Sequence, residues 1–421
     1  MSVSVLVVRY WACLALALFL PFVVHGAFQT STRGLYYPVT SNKSVGDSLL
    51  KATASHESSD DSDLSDFKTW CTEKGIITPL DLDVRTGDND YRFMKYSDDK
   101  SFTSRPDKIN GPILRVPLNA CIIATTPEDL AVKLAQEKDL GEESDFATYI
   151  KVLPPLSSPS LQSMPRFWSQ EKLEKVSEFD GGQIYERVQS VKKKCKELNL
   201  DDWALACVNS RANYLLDQGY AMTPILDFIN HDSATKTSAR LIKSEMMGDE
   251  LFLSVEKEYA KGEEVFISYG SFSNVETICD YGFVNSDSNQ CNNECVDIRI
   301  IRKQPVRVTV DDQCGGALDP GSLAILRSFI ASPEEVEDLL AKDESLSINT
   351  VYAKPISEAI EEEVYSLIAS FLDEGIYDAN SGIIWAQENG EDLIERYLVC
   401  RVAVLKKGLS KMKERFPELL F

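Results

Sequence analysis

The sequence predicts a mixed α+β fold in which short strands in the middle of the chain are followed by a long helical region. Apolar and polar residues alternate around Leu251, Leu253 and Val255, as they do in strands with one buried face. Beyond Arg302 apolar side chains recur at helical spacing, and Ser332 opens a helix-start pattern. A chain of 421 residues has room for two or three domains and a sizeable core.

The composition argues against several classes of function. The net charge of -22 argues against sequence-independent binding of nucleic acid, which needs a basic surface. An acidic surface suits a basic protein partner, although it also serves solubility alone. The ten cysteines include no CxxC pair, so we expect reduced structural thiols and no metal site. With only three histidines, neither a histidine-based metal site nor a Ser-His-Asp triad is expected.

The first 27 residues have the parts of a signal peptide. Arg9 precedes an apolar run over residues 10–24, and the small residues Gly26 and Ala27 follow that run. The run is shorter than the roughly 20 apolar residues that a membrane span needs. We therefore expect cleavage and no transmembrane segment in the mature chain, with an uncleaved anchor helix as the alternative.

Residues 28–66 are predicted to form a transit-like segment and an acidic linker. Phe28 would be the first residue after cleavage, and the stretch to His56 is rich in Ser and Thr with Asp47 as its only acid. This arrangement resembles the bipartite leaders of algae with secondary plastids, which implies a plastid location. The alternative is the secretory pathway, which the sequon at Asn42 favours. Residues 57–66 carry too little apolar surface to fold.

The folded part is predicted to begin near Phe67 and Trp70 and to form a strand over residues 113–117. Thr126 then starts a helix, because it caps the backbone and Pro127 fits the first turn. Helical patterns continue from there to about residue 200. We interpret residues 126–200 as a helical insertion with a scaffold role.

A further helix is predicted from residue 201 to residue 218. Trp203, Cys207 and Tyr214 share one of its faces, and Arg211 lies beside that face. A guanidinium next to buried residues needs a partner, because an unpaired buried charge is costly. The partner is either a cofactor carboxylate or one of the many acids of the chain.

Four motifs follow one another in the middle of the chain. Asn230-His231 follows an apolar run, and Ser268-Tyr269-Gly270 stands at the end of a predicted strand. Ser273 and Glu276 form a capping box that starts a short helix, and Tyr281-Gly282-Phe283-Val284 closes the set. In this order the motifs resemble the carboxyl half of a SET domain, of the subclass typified by Rubisco large-subunit lysine methyltransferase.

The resemblance implies a domain organisation for residues 67–421. A SET domain of β-strands with the helical insertion would cover residues 67–299. An all-α C-terminal domain over residues 300–421 would help to hold a protein substrate, and the protein is expected to be a monomer. Within this region helices are predicted over residues 355–372 and 393–416. The basic side chains of the last helix are expected on its exposed sides: Arg401, Lys406, Lys407, Lys411, Lys413 and Arg415.

The resemblance also implies an activity, namely protein-lysine N-methylation with S-adenosyl-L-methionine (SAM) as the cofactor. Tyr269 corresponds to the catalytic tyrosine, whose hydroxyl orients the target amine. The residues that correspond to cofactor-binding positions are Arg211, Asp227, Asn230, His231, Tyr281, Gly282 and Phe283.

One departure from the family pattern leaves alternatives open. The family has a Gly-x-Gly-Leu loop beside the cofactor, whereas residues 88–96 contain no glycine. A SET-like binding scaffold that has lost catalysis is therefore one alternative. A protein-histidine methyltransferase is the second, because the subclass also contains histidine methylation, and a secreted protein stabilised by disulfides is the third.

Overall fold

The computed structural model describes most of the chain from Asp60 onward. The described residues are 60–85, 91–98, 112–215, 218–232, 235, 237–242, 249–255, 258–270, 272–285, 293–298, 305–311, 316–343, 345–348 and 350–417. Every described residue belongs to one compact unit, which falls within Thr53–Phe421. The predicted signal peptide and transit-like segment lie outside the described residues.

The described residues contain twelve α-helices and thirteen short strands. The helices are α1 (Asp60–Glu73), α2 (Pro127–Leu140), α3 (Ala147–Val152), α4 (Pro159–Gln162), α5 (Gln170–Asp180), α6 (Gln183–Leu198), α7 (Asp202–Arg211), α8 (Asn274–Tyr281), α9 (Pro320–Ile330), α10 (Pro333–Lys342), α11 (Glu358–Asn389) and α12 (Asp392–Arg415). The strands are β1 (Leu80–Arg85), β2 (Tyr91–Tyr96), β3 (Leu114–Pro117), β4 (Ile122–Ala124), β5 (Asn213–Tyr214), β6 (Tyr220–Met222), β7 (Asn230–His231), β8 (Thr237–Ile242), β9 (Glu250–Val255), β10 (Phe266–Ile267), β11 (Asn293–Ile298), β12 (Val306–Asp311) and β13 (Ala317–Leu318).

The strands form five small sheets rather than one large sheet. Four are antiparallel, with the orders β1-β2, β3-β9-β8, β4-β6-β5 and β11-β12-β13. The fifth pairs β7 with β10 in parallel. Helices α2 to α7 lie between β4 and β5, and α9 to α12 follow the last strand. The predicted α+β class, with a helical insertion and a helical C-terminal region, is confirmed.

Several predicted elements are confirmed, because local hydrogen bonds define their ends. Thr126 caps α2 by accepting from the backbone N–H of Asp129. Ser273 and Glu276 form the predicted capping box of α8. Strand β9 buries alternate residues, Leu251, Leu253 and Val255, as its pattern predicts.

Two helices differ from the prediction in extent. The helix predicted to reach residue 218 is α7, and it ends at Arg211 because the chain then pairs as β5 with β6. Tyr214 consequently lies on a strand and is 56% exposed. The helix predicted over residues 355–372 is α11, which continues to Asn389 and ends at Gly390, a left-handed residue. Its buried face extends as far as Ala386, so packing supports the longer helix.

The acidic segment before residue 67 is partly helical, which corrects the prediction of an unfolded linker there. Helix α1 begins at Asp60. Leu64 packs on the core, and Phe67 and Trp70 are buried in it. Tertiary packing of these apolar side chains stabilises a helix that the composition of residues 57–66 does not favour.

The buried side chains form two clusters. The first contains residues of α1, α7, part of the insertion and the strands β1, β2, β3, β4, β6, β9 and β10, and Tyr269 packs against it. The second joins α5, α6 and α8 to β11, β12 and the C-terminal helices. Residues 300–421 also contain β12 and β13, which form one sheet with β11, so this region is largely helical rather than all-α. The domain boundary near residue 300 stays a prediction.

Arg401 is buried in the second cluster, which corrects its predicted exposure. Its Nη1 donates to Oε2 of Glu294 on β11 at 2.7 Å, and the side chains are 2% and 0% exposed. The reason is that α12 turns this side toward β11, where a buried guanidinium is stable only with an anionic partner.

In the described parts of the chain seven cysteines are free thiols, five of them buried. No helix in these parts of the chain has the length and apolar character needed to cross a membrane.

Candidate active site

The site is organised by the parallel pairing of β7 with β10. This pairing sets Asn230 opposite Phe266 and His231 opposite Ile267, so that Tyr269 lies two residues beyond the paired strands. The backbone N–H of Tyr269 donates to Nδ1 of His231 at 3.0 Å. The Tyr269 hydroxyl donates to the carbonyl oxygen of Ile229 at 2.9 Å. Both ends of the tyrosine are therefore fixed by the segment that carries the Asn-His motif.

Aromatic rings surround Tyr269. The Tyr281 ring stacks on it with centroids 5.1 Å apart and an interplanar angle of 28°. The His231 ring lies 5.1 Å away on a tilted plane. Phe283 contacts both His231 and Tyr281, with centroids 5.9 Å apart in each case. The structure thus brings together four of the predicted site residues in one aromatic group.

Gly282 is placed where two segments touch closely. It ends α8 with a φ of 76°, and a Cβ atom there would lie 2.1 Å from Oγ of Ser163, just beyond α4. Only glycine combines that backbone conformation with that approach. Its position next to α4 accounts for the glycine by packing, and it fixes the directions of Tyr281 and Phe283 on either side.

Arg211 and Asp227 form the polar part of the site. Nη1 of Arg211, at the end of α7, donates to the backbone oxygen of Asp227 at 2.7 Å. The guanidinium also lies over the Phe228 ring, 5.1 Å from its centroid. Two buried atoms have no hydrogen-bond partner among the described residues, namely Nε of Arg211 and Oδ1 of Asp227. One donor and one acceptor therefore remain available for a ligand.

Tyr149 contacts Asp227, a connection that sequence reasoning missed. Its hydroxyl donates to Oδ2 of Asp227, and its ring is buried among Phe67, Trp70 and Phe228. The tyrosine belongs to α3 in the insertion, which was interpreted as scaffold. No motif marks it, because the contact joins residues 78 positions apart.

The Asn230 side chain is bonded within the protein. Its Nδ2 donates to the carbonyl oxygen of Arg92 at 2.9 Å and to Oε1 of Glu264 at 3.0 Å. These bonds hold β2 against β7. Glu264 is buried and was also missed by sequence reasoning. Residues 88–96 lack the family's glycine pair. The structure describes β2 within this stretch, whereas residues 88–90 lie outside the described residues.

Burial raises the pKa values of several groups at the site, namely Asp227, Tyr149, Tyr269 and Tyr281. Desolvation raises the pKa of Asp227 to about 7, against the opposing effects of Arg211 and the hydrogen bond from Tyr149. Desolvation also raises the pKa of Tyr269 to about 12. The Tyr269 phenol is therefore neutral at physiological pH, with its hydroxyl hydrogen-bonded to the Ile229 carbonyl.

These features are those of a SET-type protein, with an Asn-His segment, a strand-end tyrosine and a capped helix meeting at one site. Comparison with protein families agrees, since the model of the SET domain matches residues 56–270, just over half of the chain. The chain belongs to the SET-domain family.

Solved structures share the fold over most of the chain. A structure of the SET domain of LSMT bound to lysine and AdoHcy has a TM-score of 0.65 and 21% identity, covering 85% of this chain and 92% of that one. A structure of Rubisco LSMT bound to AdoMet has a TM-score of 0.60 and 20% identity, covering 85% and 93%. At this identity the likeness supports the fold. No curated protein sequence matches the chain at a significant level.

Proposed function

We propose that this protein is a SAM-dependent protein methyltransferase and that its acceptor is a lysine side chain. The observation that carries the proposal is the position of Tyr269, which is bonded to His231 and Ile229 and stacked on Tyr281. SET-fold neighbours that were solved with AdoMet, AdoHcy, lysine and methyl-lysine support the same assignment.

The described residues fit a cofactor that carries both a carboxylate and an ammonium group, as SAM does. Nε of Arg211 is a buried donor without a partner, suited to a carboxylate. Oδ1 of Asp227 is a buried acceptor without a partner, suited to an ammonium group. When bound, SAM supplies an electrophilic methyl group. We infer that His231, Tyr281 and Phe283 pack against the cofactor or line the acceptor channel, and that Asn230 holds the backbone in place.

The residues of the site favour transfer to a neutral amine. A lysine ammonium has a pKa near 10.4 in water, and an apolar surrounding lowers that value. Here the apolar surrounding consists of the rings of Tyr281 and Phe283 next to Tyr269. The Tyr269 hydroxyl, held at the Ile229 carbonyl, then orients the amine, and alignment of the reacting atoms is the main requirement of such a displacement.

Calorimetric measurement of SAM binding to the purified mature chain distinguishes two hypotheses, a SAM-dependent enzyme and a catalytically inactive scaffold. We expect binding that Arg211→Ala weakens about tenfold to hundredfold, as for loss of a hydrogen bond to a charged group. Arg307→Ala is the matched control, since Arg307 pairs with Asp297 and Glu186 on the surface. If the folded chain binds no SAM at millimolar concentration, the enzyme proposal is wrong and the scaffold hypothesis replaces it.

The acceptor is tested separately by labelling. Proteins of the source cell would be incubated with the enzyme and SAM carrying a labelled methyl group, then hydrolysed to amino acids. We expect label in methyl-lysine, and none in the Tyr269→Phe control reaction above background. Label in methyl-histidine would assign the enzyme to the protein-histidine alternative.

We further infer that the enzyme acts in the plastid as a monomer, with residues 300–421 helping to hold its protein substrate. The plastid location rests on the composition of residues 28–56, which carry Asp47 as their only acid. The role of the C-terminal region rests on its length and on the packing of its helices with β11 and β12 in the second core cluster.

A further inference from the structure

Helix α11 has an unusual charge composition. Its 32 residues include eight acids and no lysine, arginine or histidine. One acid, Glu361, is buried and paired with Arg327. The exposed acids at positions 362, 363, 373, 374 and 388 make no ion pair within the described part of the chain. The solvent side of the helix is therefore a long surface of uncompensated negative charge.

Two apolar side chains stand within this charged surface. Tyr377 is 73% exposed and Ile384 is 59% exposed, the highest values for large apolar side chains among the described residues. They are seven residues apart, so they lie on one side of the helix two turns apart. The exposed acids Glu363, Asp373 and Glu374 lie within about 60° of Tyr377 around the helix axis, at 100° per residue.

This arrangement costs stability, so the fold alone does not account for it. Glu374 and Asp378 are like charges at helical spacing i and i+4, which destabilises a helix. Partial burial and the Glu374 carboxylate raise the pKa of Asp378 above its ordinary value. Glu388 lies in the last turn, where the helix dipole favours a basic residue and none is present.

We propose that this surface, the α11 face (Glu363, Asp373, Glu374, Tyr377, Ile384 and Glu388), binds a basic amphipathic segment of a protein partner. Lysine and arginine side chains of the segment would neutralise the acids, and its apolar side chains would cover Tyr377 and Ile384. The binding goes beyond methyl transfer and requires neither cofactor nor turnover.

The charge of the face excludes the other occupants on physical grounds. Nucleic acid and anionic lipid surfaces are repelled by uncompensated carboxylates. A second copy of this chain in a twofold contact would bring the acids of both α11 faces together. A basic protein segment alone satisfies both the charge and the apolar pair.

The test uses a synthetic amphipathic helix of lysine and leucine, about 18 residues long to cover both apolar side chains. A second peptide has the same composition in an order that removes the apolar side. Binding to the mature chain without SAM is followed by fluorescence anisotropy. We expect the amphipathic peptide to bind at least about tenfold more tightly than the scrambled one, and more weakly as NaCl rises from about 50 to 300 mM.

Three variants decide the outcome. Tyr377→Ser/Ile384→Ser should weaken binding of the amphipathic peptide roughly tenfold or more. The matched control Ile77→Ser/Leu140→Ser, which removes two exposed apolar residues outside α11 and α12, should not. Glu374→Gln should weaken binding and slightly raise the melting temperature, because it removes the repulsion of Asp378.

Four results would overturn the proposal. Three concern the peptides: equal binding of the two peptides, unchanged binding to Tyr377→Ser/Ile384→Ser, and no binding at about millimolar peptide. The fourth is that the free chain forms a dimer and that this double variant is a monomer. The first would indicate general attraction between charges, and the last would assign the face to a second copy. SAM binding is measured on the same samples, so failure here is distinct from failure of the proposed function.

Discussion

The backbone N–H of Tyr269 donates to Nδ1 of His231 at 3.0 Å, and the two rings lie 5.1 Å apart. The residues are 38 positions apart in the chain and belong to two separate motifs. Since His231 pairs with Ile267 just before Tyr269, the parallel strands set the distance between the motifs. The hydrogen bond then fixes the backbone from which the tyrosine side chain extends.

Replacement of Tyr269 by phenylalanine tests its role in catalysis. The change removes one hydroxyl and its bond to Ile229 while the ring remains stacked on Tyr281. We expect methyl transfer to fall about 100-fold or more, because an unoriented amine rarely reaches the aligned geometry. The free energy of unfolding should change by no more than about 1 kcal/mol. Single-turnover rates and urea unfolding provide the two measurements.

Tyr214→Phe is the matched control, because Tyr214 is an exposed tyrosine outside the site. It should leave both turnover and stability unchanged. Undiminished turnover of Tyr269→Phe on the natural substrate would remove Tyr269 from the catalytic residues.

Asp227 should make stability depend on pH in a specific window. Desolvation raises its pKa to about 7 in the folded chain, whereas an unfolded aspartate has a pKa near 3.9. Between these values the folded state holds a proton that the unfolded state has lost, so stability falls as pH rises from about 4 to 7. Above pH 7 both states are ionised and this contribution no longer changes.

The measurement is urea unfolding of the natural chain and of Asp227→Asn between pH 5 and 9. Relative to the variant, the free energy of unfolding of the natural chain should fall by at most about 1.4 kcal/mol for each unit that pH rises below pH 7. Above pH 8 it should not fall further. If the free energies of unfolding of the two chains change with pH in the same way over the whole range, Asp227 has an ordinary pKa.

The Arg401–Glu294 pair is predicted to be a large contributor to folding. Arg401→Met leaves a buried carboxylate without its partner and should cost about 3–5 kcal/mol. Arg307→Met breaks pairs with Asp297 and Glu186 on the surface, where the side chain is 47% exposed, and should cost within about 1 kcal/mol. Denaturant midpoints compare the two variants, and equal losses would contradict the assigned burial.

Gly282 and Gly262 form a matched pair of glycines. Both have a positive φ, 76° and 84°, but a Cβ atom would meet Ser163 only at Gly282 and nothing within 4 Å at Gly262. Gly262→Ala should cost about 1–2 kcal/mol of backbone strain. Gly282→Ala should cost about 1–3 kcal/mol more, because the α4 segment must also shift. Thermal unfolding measures the stability of both variants. Equal losses of stability would mean that the Ser163 side chain moves away from the added methyl group at no cost.

The bipartite leader is tested by a fluorescent fusion of the first ~65 residues, the stretch that transit composition delimits. We expect fluorescence in the plastid, and arrest short of the stroma when Phe28→Ala is introduced. Fluorescence outside the cell would support the secretory alternative instead.

The sequence alone determined those features of the protein that depend on neighbouring residues. Thr126 and Pro127 start α2, and Ser273 with Glu276 starts α8, because caps bond backbone groups within one turn. The alternation of apolar and polar residues predicted β9, because successive residues of a strand point to opposite faces. The ordered motifs were sufficient to predict the SET fold, since each motif occupies a fixed place on a strand or helix.

Tertiary structure alone decided the features that depend on partners far along the chain. Arg211 ends α7 because β5 pairs with β6, and Arg401 is buried because Glu294 lies 107 positions away on β11. Tyr149 reaches Asp227 across 78 positions. A residue pattern records which side chains are apolar or charged, but not which distant group meets them. Burial and pKa therefore follow only from the folded chain.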